Sequence, residues 1–134
     1  MRTFNSHDIA RIRGFLELAT EGGSSRYRSL LDLKRGLVDA ETVLPQKMPP
    51  DVVTMNSEVR IESFSPESTS VVKLVFPQEA DYTQGKISLL APLGAAMLGH
   101  RKGDTVRYTA PGGEVQVRIN DIVYQPERAG DFES

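Results

Sequence analysis

The sequence predicts an α+β chain: a short N-terminal antiparallel helical hairpin, in effect a small coiled coil, followed by an antiparallel β-domain that carries one short helix. Three observations predict it. Apolar residues in the first third recur at three- and four-residue steps, as on one face of a helix. Further along they alternate with polar residues, the period of a strand with one face on a core and one in water. Between the two regimes stand Pro45, Pro49 and Pro50, which lack an amide hydrogen and push the preceding residue toward extended backbone. The break divides the chain into a hairpin at residues 1–46 and a β-domain at residues 47–134.

The first helix is expected from about residue 6 to 20, with Ile9, Ile12, Leu16 and Ala19 on one stripe. Asn5 or Ser6 suits its N-cap, and Asp8 suits the positive end of its dipole. The segment from Glu21 through Gly22, Gly23, Ser24 and Ser25 breaks the helix and forms the hairpin tip. A second helix follows with the stripe Leu30, Leu33, Leu37, Ala40 and Leu44, facing the first. Each helix of about 15 residues reaches only about 20 Å.

Strands are expected around Val59 and Ile61, around Val72, Leu74 and Phe76, and over Glu114–Ile119, where apolar and polar residues alternate. Pro111-Gly112-Gly113 reads as the turn between the last two strands. Pro92 to Leu98 reads as the short helix, with Pro92 in its first turn and Gly99 as its C-terminal cap.

Composition narrows the function. Lys and Arg number 16 against 18 Asp and Glu, for a net charge of −2, and the longest basic run is His100-Arg101-Lys102. A protein that grips duplex DNA by itself needs clustered cations, so sequence-reading DNA binding is not expected. That basic run reads as a solvated loop. The absence of cysteine rules out disulfides, thiolate zinc sites and cysteine nucleophiles. His7 and His100 lie far apart with no zinc spacing, and Gly103 and Gly112-Gly113 read as turns, not phosphate cradles. No catalytic group, metal site or cofactor is expected. With neither a signal peptide nor a stretch of the ~20 apolar residues that span a bilayer, the chain reads as cytoplasmic and free of the membrane.

Several motifs together resemble a known family. Gly85-Lys86-Ile87-Ser88, Ala91-Pro92-Leu93-Gly94-Ala95-Ala96-Met97-Leu98-Gly99, Lys102-Gly103-Asp104 and Pro111-Gly112-Gly113 follow one another as in the C-terminal domain of the GreA/GreB elongation factors, which is FKBP-like. Met48-Pro49-Pro50-Asp51-Val52-Val53-Thr54-Met55-Asn56-Ser57, with Tyr124-Gln125-Pro126-Glu127 and Ala129-Gly130-Asp131, further resembles the Gre-related regulators of nucleoside diphosphate kinase.

The resemblance implies a monomeric, non-enzymatic transcription regulator that docks at the rim of the RNA polymerase secondary channel. It would touch nascent RNA or DNA only within the transcription complex. By motif position the docking surface is Leu90, Ala91, Pro92 and Leu93; Gre factors commonly carry an acidic residue and a serine where this chain has Leu90 and Ala91. Gre factors stimulate transcript cleavage with acidic side chains at the hairpin tip, which help hold a second magnesium ion. Magnesium tolerates little geometric error, and the predicted tip of Glu21, Gly22 and Gly23 offers one acid. The expectation is competition with Gre-type factors without cleavage, and an indirect, transcriptional influence on nucleoside diphosphate kinase. The alternatives are a cleavage-stimulating factor and a direct binder of the kinase. An FKBP-like fold also raises prolyl isomerisation, which resembles an activity of aromatic-lined pockets. Phe64, Phe76, Tyr82, Tyr108, Tyr124 and Phe132 are expected to serve packing instead.

Overall fold

The computed structural model describes residues 2–20, 28–38, 40–64, 67–110 and 112–130. In chain order they form β1 (Thr3–Asn5), α1 (Ile9–Thr20), α2 (Arg28–Val38), β2 (Glu41–Val43), a 3-10 turn (Pro45–Lys47), β3 (Glu58–Phe64), β4 (Glu67–Val75), two further 3-10 turns (Pro77–Glu79 and Tyr82–Gln84), β5 (Lys86–Ser88), α3 (Pro92–Met97), β6 (Thr105–Ala110), β7 (Gly113–Tyr124) and α4 (Pro126–Ala129).

The main sheet has the order β5-β4-β3-β7-β6. Its pairs are antiparallel except β4–β5, which is parallel, so the expected all-antiparallel sheet is corrected at one edge. The expected alternation holds along β7, where Val117 and Ile119 are buried, until an irregularity resets it. Ile61 pairs with Ile119 but Arg60 with Asp121, leaving Asn120 as an extra residue, and Val123 is extra in the same way between the pairs of Val59 and Glu58. Such bulges bend a strand and re-aim its side chains. They let Ile119 and Ile122, three positions apart, both enter the core.

The helical third differs from expectation at both ends. Helix α1 starts at Ile9, not near residue 6, because Thr3–Asn5 is a strand followed by a turn in which the Asp8 amide donates to the Asn5 carbonyl. The first helical bond, from the Ile12 amide to the Asp8 carbonyl, puts Asp8 rather than Asn5 or Ser6 at the cap. Helix α2 ends at Val38, so the stripe reaches no further than Leu37. Ala40 still packs on the core, but Leu44 is 56% exposed and residues 41–43 are extended. Parallel pairing with β1 holds them so: the Glu41 amide donates to the Arg2 carbonyl, and the Ser6 amide to the Val43 carbonyl.

Phe4, Ile12, Leu16, Leu33 and Leu37 are buried in one continuous core with Val59, Ile61, Leu74, Val117 and Ile119 of the sheet. The two helical stripes therefore face the sheet unit as well as each other. Helices α1 and α2 touch, α2 also packs on α3, and Lys34 reaches Glu17 at 3.3 Å across the hairpin. Both of those side chains are substantially exposed, so that ion pair is worth little beside the core. The Ala19 and Leu30 side chains, the tip residues Glu21, Gly22 and Gly23, and Phe132 lie outside the described residues.

Candidate docking loop and hairpin root

The loop from Ser88 to Leu93 is held from below. Strand β5 ends at Ser88, and the Leu89 amide donates to the Val75 carbonyl of β4. The Ser88 hydroxyl accepts from the Leu90 amide at 3.0 Å, and its carbonyl accepts from the Ala91 amide at 3.0 Å. One serine thus satisfies two consecutive amides and closes a tight turn, a local use of serine that competes with regular structure. Pro92 then opens α3, where its missing N–H costs nothing, and Gly99, at φ +85°, follows its end as expected. Pro92 is exposed, while Leu90, Ala91 and Leu93 are partly buried against the core. With the Leu90 and Ala91 amides occupied, no amide hydrogen on Pro92 and no ionisable side chain, residues 90–93 offer a partner a largely apolar surface.

The hairpin leaves the sheet at this same end. Phe76, directly after β4, is 1% exposed; the Arg11 guanidinium lies 3.9 Å from the centre of its ring, and the Phe15 ring is 5.7 Å away at 35°. A cation over one ring and a tilted second ring each favour the contact beyond simple burial. Because Val75 accepts the Leu89 amide, the root of α1 and the candidate docking loop rest on adjacent residues, the last of β4 and the one after it.

Behind α1 lies a polar cluster that sequence reading missed. Glu127 of α4 is 8% exposed, and its carboxylate accepts from Asn5 Nδ2 at 2.6 Å and from the Thr54 hydroxyl at 2.8 Å. Asp8 stands nearby: burial pushes its carboxyl above the usual 3.8, Glu127 adds to the push, and His7 and Arg11 oppose it. A carboxyl that holds its proton more tightly when folded loses stability as pH rises from the unfolded value through the folded one. Asp8→Asn, which keeps a good N-cap, is therefore expected to raise Tm at pH 7, with the gain vanishing below about pH 3.8. Thermal scans of both proteins across that range check it, and a loss of Tm at pH 7 would contradict it.

The basic run is not a free patch. His100 Nδ1 lies 3.3 Å from Asp104, Arg101 bonds Asp51 at 2.9 Å and Lys102 lies 3.5 Å from Asp121. Burial and the neighbouring Arg2 both lower the pKa of His100, against the pull of Asp104. Among the described residues no three His, Cys, Asp or Glu side chains gather to hold a metal, and no helix is long and apolar enough to cross a membrane. Of the aromatics, Phe76 is core, whereas Phe64 and Tyr82 are 48% and 68% exposed.

Comparison with known proteins agrees with this architecture. The family profile described as "Transcription elongation factor, GreA/GreB, C-term" matches residues 48–124. The regulator of nucleoside diphosphate kinase of Escherichia coli K12 is 40% identical over 94 residues, 69% of this chain and 69% of that protein. The transcription elongation factor GreA of Pelobacter propionicus is 35% identical over 94 residues, 70% of this chain and 60% of its own length. Among solved structures, a prokaryotic transcription elongation factor GreA/GreB from Nitrosomonas europaea superposes with a TM-score of 0.74 at 37% identity, over 92% of this chain and all of that one. The GreA factor homolog Gfh1 of Thermus thermophilus shares the fold, with a TM-score of 0.50 at 23% identity over 92% and 99% of the two chains. These relatives are named as regulators or elongation factors rather than as enzymes. On the strength of the matched profile and the extent of these similarities, the chain belongs to the GreA/GreB family of transcription elongation factors.

Proposed function

We propose that this chain is a non-enzymatic regulator that binds RNA polymerase at the rim of the secondary channel through Leu90, Ala91, Pro92 and Leu93. It sets its hairpin across the channel entrance and competes with GreA-type factors without stimulating cleavage. The observation that carries this reading is the placement of the docking loop beside the hairpin root, on Val75 and Phe76. A protein seated by that loop directs its hairpin from a fixed base.

Helix α1 has 12 residues, a length of about 18 Å. A short arm blocks an entrance without delivering a metal ligand deep inside, and the single acid Glu21 is too few for a second magnesium. Residues 1–46 then serve as the coiled-coil arm and residues 47–134 as the FKBP-like docking unit. The chain acts as a cytoplasmic monomer that meets RNA or DNA only inside the complex. Influence on nucleoside diphosphate kinase then follows from altered transcription.

Stalled, end-labelled elongation complexes given a GreA-type factor and magnesium test it. This protein is expected to protect the transcript, and shortening of the RNA by this protein alone would establish the cleavage-factor alternative instead. Binding to purified kinase would establish the direct one. Pro92→Asp isolates the docking loop, because Pro92 is exposed and an acid in the first helical turn suits α3. The concentration giving half-protection is expected to rise at least about tenfold, the equivalent of about 1.4 kcal/mol. An unchanged value would exclude this loop as the contact.

A further inference from the structure

Three segments remote in sequence meet at Glu127. Asn5 ends β1, Thr54 and Ser57 belong to the connection before β3, and Glu127 lies in α4. Asn5 and Glu127 both fall outside the stretch matched by the family profile. The hydrogen bonds have a direction. Asn5 Oδ1 accepts from the His7 amide at 2.7 Å, so the Asn5 amide group has only its NH₂ left to face Glu127. Ser57 Oγ accepts from the Thr54 amide at 3.0 Å and lies 2.8 Å from the Thr54 hydroxyl. Since that hydroxyl donates to Glu127, the Ser57 hydroxyl donates to it. Every donor in the chain runs toward the carboxylate, which only accepts.

Among the described residues no salt bridge reaches Glu127. A buried acid without a cation is costly, and an apolar side chain would bury α4 more favourably. The start of β1 is bonded to the α3 region, Thr3 through its amide to the Gly99 carbonyl and Arg2 through its guanidinium to the Ala95 carbonyl; what the carboxylate adds is direction at the other end, beside the turn into α1. Packing of Ile12, Leu16, Leu33 and Leu37 holds the hairpin on the core, but apolar contact is non-directional. Asn5 opens the turn into α1, and β1 is bonded to β2, so both roots of the hairpin move with it.

We infer that Glu127 is a positioning residue: its carboxylate clasps Asn5 to Thr54 and thereby fixes the angle at which the hairpin leaves the sheet. The C-terminal helix α4 is then a clasp for the N-terminal arm, a role independent of which partner the arm meets.

Distances between nitroxide labels test it on the full chain, which has no native cysteine to interfere. Arg13→Cys on α1 and Thr69→Cys on β4, both exposed sites, report the hairpin against the sheet; Thr69→Cys with Thr109→Cys reports the sheet alone. Adding Glu127→Ala is expected to broaden the first distribution roughly twofold, as when a hinge is freed, and to leave the second unchanged. Glu127→Gln is expected to stay narrow, because its amide can accept from Asn5 and donate to Thr54 once the hydroxyl chain reverses. Should Glu127→Ala fail to fold, Thr54→Val removes one donor and is read in the same way. The inference is overturned by an unchanged hairpin–sheet width, by equal broadening of both pairs, or by a Gln variant as wide as the Ala one. The labels are read without polymerase, so a negative result leaves the docking proposal standing, and failed docking leaves this inference standing.

Discussion

Gly94→Ala is expected to cost about 3 kcal/mol or more and to lower Tm by about 10 °C or more. A Cβ at this position falls on the carbonyl oxygen of Ser88, well inside contact distance, and reaches 3.0 Å from Leu74 Cδ1. The obstruction is backbone on one side and a fully buried core side chain on the other, so neither can swing aside. Helix α3 would have to lift off β5, and the Ser88 bonds that shape residues 90–93 would go with it. Thermal denaturation followed by circular dichroism measures the cost, and the polymerase competition assay at a temperature where the variant is still folded reads the displaced loop. A Tm within a few degrees of the parent would show that α3 is free to move, against the packing described. Since small domains are held by only about 5–15 kcal/mol in total, a loss of this size removes about a fifth to three fifths of it.

Gly94 was legible in the sequence as part of a motif, and so was α3, because the signals that set it are local: a proline at the start and a glycine just past the end. The strands β3, β4 and β7 were legible from alternation for the same reason. The pair β1 and β2 was not. Three-residue strands carry too few positions to show a period, and their hydrogen bonds join residues nearly forty apart in the chain. Leu37, Ala40 and Leu44 even keep helical spacing across β2, so the periodicity pointed the wrong way where a tertiary partner decided the backbone. The bulges at Asn120 and Val123 likewise follow from curling the sheet onto its neighbours and leave no mark in composition. Leu90 to Leu93 were found by resemblance, and their physical support, the Ser88 turn, was visible only once folded. Asn5 was legible as a cap candidate and Thr54 and Glu127 as parts of motifs, but nothing local joins these ordinary surface residue types; only convergence in space makes them a cluster.

Phe4→Ala is expected to be strongly destabilising, at about 3–5 kcal/mol. Phe4 is 1% exposed, sits on β1 rather than in either helix, and belongs to the core shared by hairpin and sheet. Its ring edge lies 3.2 Å from where a Cβ on Gly99 would be, and with Ile12, Val53 and Leu98 it lines a small, partly open cleft. Truncation would open a void behind that cleft, and the surrounding strands and α3 are too constrained by hydrogen bonds to collapse into it. Phe64→Ala is the matched control: half exposed at the end of β3, it is expected to change stability by less than about 1 kcal/mol. Urea unfolding of the two variants at equal m-value gives the comparison directly. Equal costs would place residue 4 outside the core and separate β1 from the hairpin root. A large difference would show that the first residues, which a periodicity-based reading leaves as a lead-in to a helix, are where the arm and the sheet unit become one body.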